Sequence, residues 1–246
     1  MDEAFILASV ARWRFHHPRL GAKKLYHVLS GEFEEAGITI GRDRFIEVLR
    51  DHDRLVKPLP RRGKVTTNSR HSLPVFRNLI QKIEATGPDQ IWVSDITYVR
   101  TLEGFEYLTL IMDLYSRKII GWRCSDGLDA QSNLIALHQA LGGLQEDRYP
   151  IHHSDRGCQY CCHEYVGALL DRGLVISMTE VLHCYENSHA ERLNGILKQE
   201  YALGTTFRTR EDARRAVDQA VTLYNHNRPH GSLDNRFPAE VYAIAA

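Results

Sequence analysis

Apolar residues with strand character run through Ile91-Trp92-Val93-Ser94-Asp95-Ile96-Thr97-Tyr98-Val99. Similar runs follow near 105–112 and 118–124, with Gly104 and the Ser116-Arg117 pair at the turns, so the pattern predicts three consecutive hairpin strands. Helix-like residues 129–141 come next and end at Gly142-Gly143, which predicts a left-handed C-cap. A short strand near 151–154, a helix near 160–171 ending at Gly173, a strand near 174–178 and a further helix complete the order. Strands followed by alternating helix and strand predict an α/β sheet.

Upstream, the pattern reads as short helices. Ala22 to Leu29 places Leu25, Val28 and Leu29 on one face, and Arg42 to Arg50 places Phe45, Val48 and Leu49 on another. Gly31 through Gly41 is then a longer connection than a simple helix-turn-helix needs. Arg42 and Arg44 open the second helix, where a recognition helix makes its groove contacts.

Composition bounds the answer further. The 246 residues, 43% hydrophobic and 25% charged, suffice for one substantial core and a small accessory domain. No apolar run approaches membrane-spanning length and the N-terminus lacks a signal-peptide pattern, so the expectation is a soluble cytoplasmic protein away from membranes. The five cysteines, an odd number, fit reduced thiols better than a disulfide framework. The formal net charge is zero, yet its distribution is uneven. From Arg54 to Lys82 there are eight Lys or Arg residues, Arg61, Arg62 and Lys64 among them, and no Asp or Glu. Such a stretch suits a phosphate backbone.

Three acids on separate elements carry the candidate chemistry. Asp95 interrupts the first strand, and an acid in such a run needs a partner or a metal if it points inward. Asp155 follows Ile151-His152-His153-Ser154 at a strand's carboxyl end, where open α/β sheets place their sites. The third is chosen by helical spacing: Leu193, Ile196, Leu197 and Tyr201 form an apolar stripe, while Glu191, Asn194 and Lys198 share another face. This selects Glu191 over the nearby Glu180 and Glu186. Clustered carboxylates repel and are stable around hard cations such as Mg²⁺. Two such ions, roughly 3.5–4 Å apart, would activate an attacking oxygen and stabilise a leaving one at a phosphodiester. By contrast, Cys158-x2-Cys161-Cys162 with His152, His153 and His163 lacks the second ligand pair of a zinc site. His163-Glu164 lacks a metalloprotease's second histidine, since residue 167 is Gly. Asp113 and Asp126 read as turn or cap acids.

The segments Trp92-Val93-Ser94-Asp95-Ile96-Thr97-Tyr98, Asp113-Leu114-Tyr115-Ser116-Arg117 with Gly121-Trp122, His153-Ser154-Asp155-Arg156-Gly157, and Glu186-Asn187-x3-Glu191-Arg192-x-Asn194-Gly195 resemble the integrase core of bacterial insertion-sequence DDE transposases. The likeness continues through Tyr224-Asn225-x2-Arg228-Pro229-His230 to Glu240. It implies an RNase H-like mixed sheet flanked by helices, preceded by a small helix-turn-helix-like domain. The resulting domains are 1–53 (helical, DNA-binding), 54–87 (basic linker), 88–205 (catalytic core) and 206–246 (C-terminal helical extension).

The resemblance also implies that Asp95, Asp155 and Glu191 are catalytic residues binding two Mg²⁺ ions, or Mn²⁺, and that Lys198 contacts DNA; Arg42 and Arg44 at the start of their helix, and Arg61, Arg62 and Lys64 in the basic stretch, are the further DNA contacts expected. It further implies strand cleavage and strand transfer on double-stranded transposon ends and target, by a homo-oligomer. A metal-dependent nuclease without strand transfer and a non-catalytic DNA-binding regulator of transposition are the rival readings. In that family an upstream frame carrying a helix-turn-helix and a coiled coil is commonly fused by frameshifting. The helical prefix here has no leucine heptads to pair two copies.

Overall fold

In the computed structural model, the described residues are 2–57, 72–180 and 187–245. Helices α1 (Asp2–His16), α2 (Ala22–Glu35) and α3 (Arg42–Asp51) enclose a core of their own, built on Ile6, Val10, Leu25, Leu29, Phe33 and Phe45. The second helix runs six residues further than the pattern predicted. Gly31 faces open space, so its missing side chain costs only helix propensity, and buried Phe33 anchors the added turn. The connection therefore shrinks to 36–41, with Gly37 in the left-handed region at φ 72°.

Strands β1 (Ile91–Thr101), β2 (Gly104–Asp113) and β3 (Ile119–Ser125) form the expected antiparallel meander. β4 (Ile151–Ser154) lies parallel beside β1, and β5 (Val175–Met178) parallel beside β4, giving the mixed order β3-β2-β1-β4-β5. A short β6 (Thr206–Phe207) pairs with the end of β1. One sheet face is covered by α4 (Ala130–Gly142), α5 (Cys158–Cys161) and α6 (His163–Asp171). The other is covered by α7 (Ser188–Glu200) and α8 (Arg210–Asn227), and α9 (Pro238–Ala245) packs on α8.

Local chemistry explains most boundaries. Asp129 caps α4 by accepting from the Ser132 N–H, and Thr209 caps α8 by accepting from the Asp212 N–H. Two expectations fail. Gly143 closes α4 at φ −97°, a right-handed rather than left-handed cap, because its N–H bonds back to the Ala140 carbonyl. The helix expected over 160–171 breaks at Cys162, whose extended backbone (φ −68°, ψ 152°) ends α5 and starts α6.

Asp113 is a turn acid, as its spacing suggested. It is fully buried and accepts from the Ser116 hydroxyl, the Ser116 N–H and the Asp89 N–H. Asp126 pairs with Arg210. The helical prefix is fastened to the core through Glu200: its carboxylate accepts from Lys24 at 2.8 Å and from Arg228 at 2.8 and 3.0 Å. Its main-chain carbonyl also accepts from the Arg19 N–H.

Candidate active site

The pleat of β1 decides where Asp95 points. Ile91, Val93 and Val99 join the core under α7 and α8, while Trp92 and Ile96 join the core under α4 and α6. With side chains alternating, Asp95 faces α7. Its Oδ2 accepts from the Asn194 amide of that helix at 2.6 Å, and its Oδ1 from the Ile96 N–H at 2.9 Å.

Asp155 arrives through strand pairing. The parallel register sets Trp92 opposite His152 and Val93 opposite His153, so the chain leaving β4 carries Asp155 along the flank of Asp95. There the backbone turns, and the Gly157 N–H donates to Asp155 Oδ1 at 2.9 Å. Glu191 stands in the first turn of α7, one turn before Asn194. Asn187 ties the start of that helix to β1 by donating to the Ser94 carbonyl at 3.0 Å.

Like charges meet at this site. Burial first, and Asp155 next, push the Asp95 carboxyl up to about 8, with Glu191 adding to the effect. The Ile96 N–H and Lys198 oppose the rise only in part. Burial also raises the Glu191 carboxyl. Lys198 lies with its Nζ 4.1 Å from the centre of the Tyr98 ring, and burial lowers its pKa although Asp95 pulls the other way.

The structure thus brings Asp95 and Asp155 side by side, with Glu191 and Lys198 within electrostatic reach. It does not draw the three acids into contact: among the described residues, no three Asp, Glu, His or Cys side chains converge closely enough to enclose an ion. The other expected DNA contacts lie elsewhere. Arg42 pairs with Asp43, and Arg44 with Glu3 and Glu47, all on the exposed start of α3 and its neighbour. Arg61, Arg62, Lys64 and Glu186 fall outside the described residues.

Asn194 was visible only as a member of the Glu191 face; its direct bond to Asp95 was not read from the sequence. The i, i+3 spacing from Glu191 was the available signal. Tyr98, two positions beyond Ile96 and paired with Lys198, carried no such signal.

Comparison with known proteins identifies the family and the fold. Two family models, each described as "Integrase core domain", match residues 85–184 and 172–238. The "Insertion element IS600 uncharacterized 31 kDa protein" of Shigella sonnei is 38% identical over 213 residues, covering 86% of this chain and 78% of its own. "Transposase InsF for insertion sequence IS3A" of Escherichia coli (strain K12) is 41% identical over 162 residues, 65% of this chain; the match spans just 56% of that protein's length.

Among solved structures, the HTLV-2 integrase catalytic core domain in complex with magnesium superposes with a TM-score of 0.53 at 16% identity, over 65% of this chain and 99% of that one. A simian T-cell lymphotropic virus intasome chain, solved in complex with PP2A regulatory subunit B56 gamma, gives 0.56 at 18% identity, over 90% and 74%. These likenesses show that the fold is that of the RNase H-like integrase cores. No helix among the described residues is long and apolar enough to cross a membrane. By its sequence relatives and its integrase core, the chain belongs to the transposases of bacterial insertion sequences, enzymes of the DDE polynucleotidyl transferase class.

Proposed function

We propose that Asp95, Asp155 and Glu191 form the catalytic centre with which this chain cuts a DNA strand and then joins the freed 3′-hydroxyl to a second phosphodiester. The observation that carries the reading is the Asp95–Asp155 pair, one member of which is buried and pushed up to about 8. A buried carboxyl held beside a second one keeps its proton near neutral pH and ionises at a cost that a cation joining the two would offset.

The donor set is hard oxygen throughout, which suits Mg²⁺ or Mn²⁺, and Glu191 on the first turn of α7 would complete it. Two bound ions would supply a Lewis acid at the phosphodiester and an activated attacking oxygen. The chain's own residues orient the site. The Ile96 N–H and the Asn194 amide hold the two oxygens of Asp95, and the Gly157 N–H fixes Asp155. Lys198, steadied over Tyr98, presents a cation for a DNA phosphate next to the reacting one.

The same reading makes double-stranded transposon ends and target DNA the substrates. Joining two ends requires two copies of the protein held together on DNA. Arg42 and Arg44 would meet the duplex from α3, and the basic stretch with Arg61, Arg62 and Lys64 would follow its backbone.

The test is strand cleavage and joining on end-containing duplexes with Mg²⁺ or Mn²⁺. Asp95→Asn, Asp155→Asn and Glu191→Gln should each abolish both steps while retaining fold and DNA binding. Asn194→Ala, removing only a partner of a ligand, should cost about 10–100-fold. Activity surviving Glu191→Gln but lost in Glu186→Gln would move the third acid. Cut products that are never joined would favour the nuclease.

A further inference from the structure

The face of α7 turned away from the carboxylates lines a small basic cavity of about 120 Å³. At about 100° per residue, Glu191, Asn194 and Lys198 share one side of the helix, whereas His189, Arg192 and Ile196 share the other. Arg117 from the β2–β3 turn, and His230 with Ser232 from the segment after α8, close the cavity around them.

Met112, Leu193, Ile196 and Tyr224 form its apolar floor, and its polar groups are two guanidiniums, two imidazoles and a hydroxyl, with no carboxylate among them. Arg117 Nη1 lies 3.1 Å from His189 Nδ1, and because a guanidinium has only donors, the imidazole accepts and keeps its proton on Nε2. His230 Nδ1 lies 3.0 Å from the Ser232 hydroxyl. Burial first, then the surrounding arginines, lower both imidazoles, His230 to about 3. Burial lowers the Arg117 pKa; Tyr224 and Asp113 oppose the fall, and Arg192 adds to it.

Among the described residues only Asp113 acts as a counter-charge, and only on Arg117. Among the described residues neither Arg117 nor Arg192 makes an ion pair, while Arg228 and Arg214 are each matched to a carboxylate. Asp113, the acid that acts on Arg117, already accepts three hydrogen bonds of its own.

We propose that this cavity binds a backbone phosphate of DNA, with Arg117 and Arg192 as its charge-assisted donors and His189 and His230 beside them. Guanidinium forks match phosphate oxygens, and the amino end of α7 beside them adds a favourable dipole. The inference rests on the proposed reaction at the opposite face.

Arg192 is exposed, so it can be changed without disturbing packing. Duplex affinity of the full chain should be measured against salt for wild type, Arg192→Gln and Arg192→Lys. Loss of one phosphate contact lowers the log–log slope by about 0.9, so Arg192→Gln should show that decrease and Arg192→Lys should keep the wild-type slope. Inorganic phosphate at matched ionic strength should raise the melting temperature of wild type and not of Arg192→Gln.

Equal slopes for wild type and Arg192→Gln would overturn the proposal. So would an unchanged slope together with altered self-association on sedimentation, which would make the cavity a protein contact. Failure of the proposed reaction would show separately, as wild-type protein that binds DNA and never cuts it, while the salt and phosphate arms still report on the cavity.

Discussion

Replacing Glu200 by Gln keeps the shape of the side chain and removes the one negative charge between Lys24 and Arg228. The Lys24, Glu200 and Arg228 side chains are 23%, 20% and 4% exposed, so solvent cannot readily take over either cation. Removing one partner of a buried ion pair costs about 3–5 kcal/mol, and the partial exposure of Lys24 and Glu200 places this case near about 3 kcal/mol. For a chain of this size that is a fall of about 6–12 °C in Tm. Arg228 is the stronger partner, being bidentate and raised above its usual value despite burial. Lys24 is lowered, by burial first and by Arg228 second, so Lys24→Met should cost far less.

The sign of the pH dependence follows. Burial alone would raise the Glu200 carboxyl, but hydrogen bonds and charge from Arg228 and Lys24 outweigh it and hold it below the usual range. A carboxyl depressed on folding adds stability that is complete above its unfolded value, about 4.3, and is lost as pH falls through the folded value. Urea denaturation of wild type and Glu200→Gln should therefore show the full gap at pH 7 and a narrowing gap below about pH 4.3. A difference under about 1 kcal/mol at pH 7, the range of a surface ion pair, would refute the reasoning. A gap that does not shrink in acid would refute it equally.

Gly121 permits the close approach of β3 to α4: an added Cβ would stand 2.2 Å from the Ala136 carbonyl oxygen and 3.2 Å from Ala140 Cβ. Gly121→Ala should cost about 3 kcal/mol, the upper part of the overpacking range, in urea denaturation; a loss below about 1 kcal/mol would show that the layers simply move apart. Neutralising Arg61, Arg62, Lys64 and Arg70 together should flatten the salt dependence of DNA affinity by about 3–4 units if all four meet phosphates, and an unchanged slope would make the stretch a tether.

The sheet was readable because its strands are runs rich in β-branched and aromatic residues, β1 and most of β2 being buried on both faces, and its three-strand start is separated by local turns. Asp95 and Asp155 were readable for the same reason, as acids placed against or at the end of strands. Glu191 needed the helical period. The errors fell where local signals compete with packing. Gly31 looked like a stop, yet Phe33 makes the next turn worth keeping. The first helix lacks a clean apolar stripe: Ile6 and Val10 are buried, while Phe5 and Phe15 stay exposed. The Glu200 network was invisible because its partners lie 176 and 28 residues away, and no local pattern encodes such a meeting.

One helix holds these pieces in a common frame. The Glu191 face of α7 meets β1 through Asn194 and Asp95, the Arg192 face lines the basic cavity, and Glu200 at its last turn binds the helical prefix. A glutamate there opposes the helix dipole, so its place depends on Arg228 and Lys24. An α-helix transmits displacement with little loss because each turn is bonded to the next. Any force that moves the prefix against the core therefore acts on the end of the same rod that carries Glu191. On the proposal above, a phosphate held by Arg117 and Arg192 would tie the β2–β3 turn to α7 on the side away from Glu191.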